Sequence, residues 1–338
     1  MPRYIGVDLH TNCFTTCVVD TEAKQTFRDY KLSEVEEFAA SLRDTDEVAV
    51  EATGNTRYFY EHVAAKVKRV AVVNPRAFEV VKRSSNKTDK RDAANLALFL
   101  SKELLPEARM KSQEQAEVAS LVHTRDKLVK QRTALINKLH ALAVAHGRRE
   151  SKEAFASEAG LERVLQQAWS VVEQVEVEVI VAQVRSLNSG IKRLEGEMSE
   201  QGTKLEGHAN LISIKGIGAK SATILLSVIG NISDFESADK LASYFGIVPS
   251  VRQSNETQHT GRITKGGSKL GRTTLVQCTL VAIRYSPYLK KYYERLKERR
   301  GAGKAIIATA RKFLGIIYQT LKHQWVFADF PNFVLAEP

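Results

Sequence analysis

Short apolar runs separated by turn residues dominate the first third of the chain and predict β-strands. Tyr4–Leu9, Cys13–Val19 and Thr26–Leu32 follow one another with only short turns between them. Glu47–Ala52 and Arg69–Val73 are two further β-prone runs. These five segments are the predicted strands of one sheet.

Helical patterns occupy the gaps after the third strand. We expect helices at Glu34–Leu42, with Ser33 as its cap, at Tyr58–Val67 and at Asp89–Ser101. A serine followed three residues later by an acid is typical of a helix start, because both side chains satisfy N–H groups of the first turn. Strands and helices in this order predict an α/β fold, in which a mixed sheet is flanked by helices.

The middle of the chain has a seven-residue apolar repeat, which predicts a long helix that packs as a coiled coil. A polar break covers 147–160, and a second long segment runs from Leu161 to about Glu200. Valine and glutamate alternate at its centre, which suits a strand equally well, but the length of the segment favours a helix. The two helices are expected to form an antiparallel hairpin or a dimer interface. The seam of the repeat consists of Leu121, Leu128, Leu135 and Leu142, with Val118 and Leu139.

The last third begins with a glycine-containing turn between two apolar helices. Its sequence, Leu211-Ile-Ser-Ile-Lys-Gly-Ile-Gly-Ala-Lys-Ser-Ala222, resembles a helix–hairpin–helix motif, whose second helix presents N–H groups to a phosphate. Lys215 and Lys220 are therefore candidate nucleic-acid contacts, and a simple tight turn is the alternative. A loop rich in Gly, Ser and Thr is expected from Gly246 to Gly271, followed by helices at 272–284, 290–300 and 304–322.

The composition is typical of a soluble globular protein. The length of 338 residues suggests two domains, and 43% hydrophobic with 26% charged residues argues against a disordered chain. No apolar run approaches the roughly 18 residues that cross a bilayer, and the N-terminus has no signal-peptide core, so we expect a cytoplasmic protein without a membrane partner. Three cysteines cannot form a disulfide framework, and Cys13 and Cys17 are expected to be reduced strand residues.

Positive charge is concentrated in one part of the chain. Between Gly261 and Lys312, 14 Lys and Arg residues stand against two acidic ones, a net charge of +12 in a chain of net charge +11. A second basic stretch, Lys66 to Arg91, has nine Lys and Arg residues against two acids. Such patches attract phosphate backbones through Coulomb forces and counterion release. Nucleic acid is the expected partner; a solvated helix face, an acidic protein or a membrane surface are the alternatives.

Four acids lie where chemistry can use them. Asp8 is on the first predicted strand, Glu51 ends the fourth, and Asp89 and Asp92 are three residues apart at a helix start, which places them on one helix face. An acid within an apolar strand costs free energy unless it is paired or binds a metal, and carboxylate oxygens are ligands that Mg²⁺ prefers. For each acid alone, a salt bridge or a helix cap is the plainer interpretation.

The segments around these acids resemble a known family. Ile5-Gly-Val-Asp8, Val50-Glu-Ala-Thr-Gly54 and Lys87-Thr-Asp-Lys-Arg-Asp-Ala93 are similar to the three motifs of DEDD transposases of the insertion-sequence 110 family. The resemblance covers nearly the whole chain, in the order of the family. Segments that resemble the family's second transposase domain are Ile214–Lys220, Phe245–Pro249, Gly261–Ser268 and Arg272.

The resemblance implies a catalytic site shared by two domains. It implies a RuvC-like, RNase H-type fold at 1–112, in which Asp8, Glu51, Asp89 and Asp92 bind Mg²⁺, with Mn²⁺ as an alternative. It further implies a mainly helical transposase domain at 206–338 that supplies a nucleophilic serine. The coiled-coil region predicted from the seven-residue repeat, at 113–205, lies between the two domains. Ser254 matches that serine by its position five residues after Pro249, although Asn255 follows where family members usually have glycine. Ser250 and Ser268 are the alternatives.

The activity that the resemblance implies is DNA transposition. A serine hydroxyl would attack a DNA phosphate and form a 5′-phosphoserine link, and the strand would then pass to a second DNA. The partners that the resemblance implies are donor and target DNA, a structured bridge RNA that pairs with both, and further copies of the chain in a tetramer, a dimer of dimers. The candidate phosphate contacts around the serine are Arg252, Arg262, Lys265, Lys269 and Arg272.

Three other functions fit parts of the sequence. A Holliday-junction resolvase-like nuclease would use the same carboxylates with water as nucleophile and would need no serine. A sugar-kinase or actin-like ATPase would fit the first strands, but it leaves the basic C-terminal segment unexplained. A non-catalytic architectural protein that binds DNA or RNA would use the basic segments and the coiled coil alone.

Overall fold

The computed structural model describes residues 3–20, 22–79, 88–148, 151, 153–254 and 257–337. The chain divides into two compact units, Met1–Met110 and Lys111–Pro338. None of the helices in these described ranges is both long enough and apolar enough to cross a membrane.

A five-stranded mixed sheet forms the centre of the first unit, as the sequence predicts. The strand order is 3-2-1-4-5, in which the first three strands are antiparallel neighbours and the first, fourth and fifth run parallel. The strands are β1 (Tyr4–Leu9), β2 (Cys13–Val19), β3 (Gln25–Lys31), β4 (Glu47–Glu51) and β5 (Arg69–Val73).

Helices cover both faces of this sheet. Strand side chains alternate between faces, so Ile5 and Val7 of β1 point into a core that contains Phe38 and Phe59, whereas Gly6 points to the opposite face. The helices of the first unit are α1 (Val35–Ala40), α2 (Thr56–Val63), α3 (Pro75–Glu79) and α4 (Asp89–Ser101). The observed bounds of α4 are those predicted.

Two helix predictions in this unit were wrong in detail. Ser33 does not cap α1; instead a short 3₁₀ turn precedes the helix, and the Lys31 N–H donates to Glu34 Oε2 at 2.8 Å. α3 was not predicted, because Asn74-Pro75 was interpreted as the end of a strand only. Proline at a first helical position is well tolerated, since its missing N–H would have no helical acceptor.

An antiparallel pair of long helices opens the second unit. Ion pairs Arg125–Glu195 and Lys138–Glu176 link the two helices, so the pairing lies within one chain. The segment with alternating valines and glutamates is helical, as the length of the segment predicted. A separate short helix occupies part of the predicted polar break. The helices are α5 (Gln113–Ala145), α6 (Glu158–Leu165) and α7 (Val171–Thr203).

The seam between these helices is rotated from the predicted one. Leu121, Leu128, Leu135 and Leu142 are only partly buried, whereas Val122, Ile136 and Ala143 lie one residue further along and are buried. Val118 and Leu139 are buried as predicted. The rotation reflects a helix that packs against more than one neighbour, since α5 contacts a later helix besides α7.

The remaining helices enclose the largest core of the second unit, which includes Phe245, Leu275 and Phe313. Two short antiparallel strand pairs accompany them. The elements are α8 (His208–Ile212), α9 (Ala219–Ile229), α10 (Ala238–Tyr244), β6 (Pro249–Ser254), β7 (Thr257–Ile263), α11 (Lys269–Tyr285), α12 (Pro287–Arg300), α13 (Ala302–Lys322), β8 (Phe327–Asp329) and β9 (Val334–Leu335).

The expected loop at 246–271 is therefore largely a β-hairpin. β6 and β7 pair antiparallel from Pro249 opposite Ile263 to Ser254 opposite Thr257. The prediction was wrong because these strands lack alternating apolar residues, and backbone pairing across the turn stabilises them instead.

Candidate active site

The sheet brings two of the predicted acids to one edge. β1 and β4 are parallel, with Val7 opposite Val50, and Asp8 and Glu51 each come one residue later. Side chains alternate along a strand, so Asp8 lies on the face of Gly6, and Glu51 on the face of Ala49. Ala49 packs in the same core as Leu96 of α4. Asp8 and Glu51 thus belong to the face that α4 covers.

α4 begins at that same edge. Thr88 caps the helix by accepting from Arg91 N at 3.3 Å, so the cap is not one of the acids. Asp89 and Asp92 form the first turn, and Asp92 is 3% exposed. The helix lies very close to β1: a Cβ added to Gly6 would be 1.9 Å from the Ala93 carbonyl oxygen. This glycine permits the approach that brings the first turn of α4 to Asp8.

An imidazole joins two of these carboxylates. His10 Nε2 lies 3.4 Å from Asp8 Oδ2 and 3.5 Å from Asp89 Oδ1. One ligand atom from each of the three lies within 4.8 Å of the others. Across the described ranges, Glu51 and Asp92 fall outside this closest set. Asp92 lies on α4, the helix that supplies Asp89, and Glu51 ends β4, the strand beside β1.

His10 was not predicted from the sequence. Its neighbours suggest only a turn between two strands, and its backbone N–H donates to Cys13 O at 2.9 Å. The Asn55 side chain, from the loop after β4, donates to His10 O at 2.7 Å and ties this turn to the neighbouring strand end. An Asp-x-His spacing at a strand end was the signal available.

The donor set fits a divalent cation. Carboxylate oxygens suit Mg²⁺ and Mn²⁺, and an imidazole nitrogen is an additional ligand for transition metals. The side chain of Asp8 is 12% exposed, whereas His10 and Asp89 are 47% and 62% exposed. A site with one buried and two accessible donors leaves room for a substrate oxygen.

Ser254 is the last residue of β6, opposite Thr257 at the tip of the hairpin. The side chains of Ser254 and Arg252, and all of Asn255 and Glu256, lie outside the described part of the chain. The backbone thus places the serine at the end of β6.

The two alternative serines have different surroundings. Ser268 caps α11, because its Oγ accepts from Gly271 N at 3.1 Å. Ser250 is exposed on β6 and faces Gly261, whose added Cβ would lie 2.4 Å from Ser250 Oγ. A structural role is therefore evident for Ser268 but not for Ser250.

Glycines and one arginine hold the base of the hairpin. A Cβ on Gly267 would lie 1.8 Å from the Tyr244 carbonyl oxygen, and Gly246 adopts a φ of +65° beside Gly266. Arg272 Nη1 donates to Phe245 O at 3.1 Å and to Gly267 O at 2.7 Å. Arg272, a predicted phosphate contact, thus also braces the backbone on which the hairpin stands.

The other predicted nucleic-acid contacts differ in their surroundings. Arg262, Lys265 and Lys269 are exposed around the hairpin base. Lys215 is exposed in the turn before α9, and Lys220 Nζ lies 2.6 Å from Glu195 Oε1 in an ion pair. Part of the charge of Lys220 is therefore neutralised by the protein itself.

The turn between α8 and α9 has the predicted form. Gly216 has a φ of +110°, and a Cβ there would lie 2.7 Å from the Ala282 backbone nitrogen of α11. Gly218 directly precedes α9, and a Cβ there would have nothing within 4 Å. Gly218, Ala219 and Lys220 are exposed, so the start of α9 is open to solvent, as phosphate binding at a helix N-terminus requires.

Comparisons with known proteins find two family matches along the chain. A family model described as a transposase, the DEDD type of the IS110 group, matches residues 5–146. A second, described as the transposase IS116/IS110/IS902 family, matches residues 208–294. The first match contains the acidic cluster, and the second contains the hairpin and the turn before α9.

Similar proteins match over nearly their whole length. The transposase for insertion sequence element IS1111A of Coxiella burnetii is 26% identical, over 95% of this chain and 90% of the relative. The pilin gene-inverting protein of Moraxella lacunata is 28% identical, over 96% and 97%. The probable family 20 transposase of Pseudomonas aeruginosa is 25% identical, over 95% and 97%. The chain belongs to the IS110 family of transposases, enzymes that cut and recombine DNA.

Proposed function

We propose that this transposase joins DNA strands through a 5′-phosphoserine intermediate formed by Ser254. The Ser254 oxygen forms a bond to a DNA phosphorus while the bond to the 3′ oxygen breaks, and the serine proton leaves as the 3′ oxygen becomes a hydroxyl. A 3′ hydroxyl of a second strand then displaces the serine. Serine needs activation for this attack, because its hydroxyl is a weak nucleophile at neutral pH.

The convergence of Asp8, His10 and Asp89 within 4.8 Å is the observation that carries the proposal. These residues would hold a divalent cation, Mg²⁺ or Mn²⁺, and Glu51 and Asp92 would complete its surroundings from the same edge. When bound, such an ion neutralises charge on the phosphoryl group and lowers the pKa of a coordinated oxygen. The strand order 3-2-1-4-5 supports the RNase H-type, RuvC-like assignment of this unit.

The proposed partners follow from the basic surface and from the family. Exposed Arg262 and Lys269 would contact DNA phosphates beside the serine. A structured RNA that pairs with donor and target DNA would leave sequence recognition to base pairing. Assembly into a tetramer would let the acidic cluster of one subunit act with the serine of another. We propose both the RNA and the tetramer as parts of the same function.

The serine assignment is tested by a covalent adduct. Ser254→Ala should abolish a protein–DNA adduct formed with Mg²⁺, cognate DNA and RNA, whereas Ser250→Ala, on the same strand, should retain it. An adduct at full yield from Ser254→Ala would refute the assignment. Cleavage without an adduct in the wild-type protein would instead favour a resolvase-like nuclease that uses water.

The metal assignment is tested on the carboxylates. Asp8→Asn and Asp92→Asn should remove strand cleavage while circular dichroism shows an intact fold, and Asp44→Asn, an exposed acid of the same unit, should remain active. Full activity with both Asp8 and Asp92 changed would exclude the proposed site.

The proposed RNA partner and assembly have separate tests. Expression of the chain with the DNA that flanks its gene should allow a structured RNA to copurify, and mass photometry of the loaded protein should show the mass of four chains. Full recombination by RNA-free protein would remove the RNA from the proposal. A loaded, active monomer would remove the tetramer.

A further inference from the structure

A cavity in the second unit is lined by residues that belong neither to the hairpin nor to the predicted phosphate contacts. It has a volume of about 590 Å³ and lies between the start of α12, one face of α13 and the segment that follows α13. Its walls include the aromatic residues Tyr288, Trp325 and Phe333. This volume is within the roughly 300–1,000 Å³ of pockets that bind small molecules.

The wall of the cavity that α13 forms contains a glycine, Gly315, which has no side chain. Lys312, Gly315, Ile316 and Gln319 have the spacing of one helix face, and all four line the cavity. Gly315 is in the interior of α13, where glycine costs about 1 kcal/mol relative to alanine. A Cβ there would have nothing within 4 Å, so packing does not require glycine. Glycine at this position leaves that part of the cavity wall without a side chain.

The aromatic wall opposite is held in an unusual backbone conformation. Phe333 has a φ of +59°, which is uncommon for a bulky residue, and its N–H donates to Phe330 O at 3.0 Å. Its ring centroid lies 4.8 Å from that of Phe327 and 6.3 Å from that of Trp325. These contacts fix a half-exposed ring at the cavity instead of burying it in the core.

Charged and polar groups accompany the aromatic residues of this cavity, which we call the slot. Lys312 Nζ lies 5.6 Å from the centre of the Tyr288 ring, and a hydrogen bond with the Tyr288 hydroxyl raises the pKa of the lysine, so it stays charged. α12 carries six Lys and Arg residues against two acids, and α13 carries four and no acid. The carboxamides of Gln319 and Asn332 also line the cavity. The slot therefore combines aromatic walls, hydrogen-bonding amides and a charged lysine, and it lies on two strongly basic helices.

We propose that this slot binds an unpaired base of a DNA strand. Stacking on an aromatic side chain suits any base, positive charge attracts the adjacent phosphates, and carboxamides pair with base edges. An acidic peptide would be drawn by the same charge, but its acidic side chains have no ring to stack on the aromatic walls. The inference rests on the proposed handling of DNA strands, in which a cut strand must leave one duplex before it enters another.

The first test fills the slot without altering charge. Gly315→Leu places a side chain in the cavity, and Gly303→Leu is its matched control, because a Cβ at Gly303 on the same helix also has nothing within 4 Å and Gly303 does not line the cavity. Fluorescence anisotropy should show that Gly315→Leu weakens binding of a short oligothymidine by about tenfold, the ratio for one lost base stack. Duplex DNA should bind both variants like the wild-type protein. Equal affinities of the two variants for oligothymidine would overturn the proposal.

A second pair of variants tests the slot in case Gly315→Leu does not fold. Tyr288 and Tyr285 are 55% and 54% exposed, and of the two only Tyr288 lines the cavity. Tyr288→Ala should weaken oligothymidine binding, and Tyr285→Ala should not. An abasic strand of the same length should bind the wild-type protein and Tyr288→Ala alike, since it keeps the phosphates and lacks the bases. Weaker binding of the abasic strand by Tyr288→Ala would indicate a charge effect and count against the slot.

Tryptophan fluorescence reports on the slot directly. The chain has two tryptophans, so in a Trp169→Phe background Trp325 is the only one. Oligothymidine should quench its fluorescence, and the abasic strand should not; absence of quenching by oligothymidine would overturn the proposal. Tighter binding of oligouridine RNA would overturn the assignment to DNA. The adduct assay on Ser254 is independent of these measurements, so failure of the phosphoserine proposal would be distinguishable from failure of the slot.

Discussion

Asp46 links the starts of three strands, at the edge of the sheet opposite the one that carries Asp8 and Glu51. Its buried carboxylate accepts from Arg3 Nε at 2.9 Å and from the Arg43 N–H at 2.8 Å. Its backbone carbonyl accepts from Lys68 N, immediately before β5. One residue thus links the starts of β1, β4 and β5. The parallel register that aligns Asp8 with Glu51 is anchored at this far end.

Removal of this carboxylate should destabilise the first unit. Asp46→Ala leaves the Arg3 guanidinium without its partner, and we expect a loss of roughly 2 kcal/mol in the free energy of unfolding. Asp44→Ala removes an exposed acid two residues away and should change little. Urea unfolding followed by circular dichroism measures both, and equal midpoints for the two variants would contradict the prediction.

Asp46 also makes stability depend on pH. Burial raises the pKa of its carboxyl, but hydrogen bonds from Arg3 and from the Arg43 N–H lower it more, and the net pKa lies below the ordinary 3.8. A carboxyl with a lower pKa in the folded state stabilises the fold above the unfolded pKa and loses this contribution as pH falls through the folded pKa. The stability difference between the wild-type protein and Asp46→Asn should therefore be full near neutral pH and shrink as pH falls below 3.8. Unfolding at a series of pH values tests this, and a difference that grows in acid would refute it.

His10 is expected to contribute directly to ion binding. Its Nε2 is the atom that lies between Asp8 and Asp89. His10→Ala should weaken Mn²⁺ binding by about tenfold, as the loss of a ligand or its support does. Calorimetry with Mn²⁺ alone measures this, with His62→Ala as the control in the same unit. Unchanged affinity in His10→Ala would show that the imidazole only neighbours the site.

At the scale of elements, the contact between β1 and α4 decides where the acids meet. The strand supplies Asp8, the helix supplies Asp89 and Asp92, and Gly6 permits the close approach of the two. No side chain larger than hydrogen fits there, because the Ala93 carbonyl and the Ala97 nitrogen occupy the space.

Gly6→Ala should separate the helix from the strand. An added Cβ would force α4 to move, which we expect to cost roughly 1–3 kcal/mol of stability and to weaken Mn²⁺ binding although no ligand is changed. Gly54→Ala is the control, since a Cβ there has nothing within 4 Å. Thermal unfolding and calorimetry provide the two measurements. Wild-type ion affinity in Gly6→Ala would show that the position of α4 does not control the site.

At the scale of the whole molecule, charge is strongly segregated. The segment from Gly261 to Lys312 carries a net charge of +12, while the remainder sums to −1. Binding of DNA to such a surface releases counterions, so affinity falls as salt rises.

The hairpin base should account for part of that salt dependence. Arg262→Gln with Lys269→Gln should lower duplex affinity and reduce the slope of log affinity against log salt by about 2, one for each phosphate contact. Lys24→Gln with Lys31→Gln removes the same charge from exposed positions of the first unit. Anisotropy titrations at several salt concentrations compare the pairs. Equal slopes would place the DNA elsewhere on the basic surface.

The local sequence pattern predicted most helices and strands, but it did not predict which other elements each of them contacts. β1, β2, β5 and α4 have the predicted bounds, because apolar periodicity is strong there and turn residues delimit it. The hairpin of β6 and β7 was missed, since polar strands are stabilised by pairing that periodicity does not reveal. The buried positions of α5 lie one residue after most of the predicted ones. A heptad repeat assumes a single partner helix, whereas α5 packs against both α7 and α9.

The amino-acid sequence by itself determined the mixed α/β unit, the helical pair, the basic segment and the four acids as residues that need a partner. These follow from local propensity, from periodicity and from the cost of burying charge. Only the tertiary structure decided that His10 lies between Asp8 and Asp89, that Gly6 permits the close approach of α4, and that distant aromatic residues line a cavity beside Gly315. Each of these depends on contacts between segments far apart in the chain, and such contacts are fixed by packing and not by the neighbours of a residue in sequence.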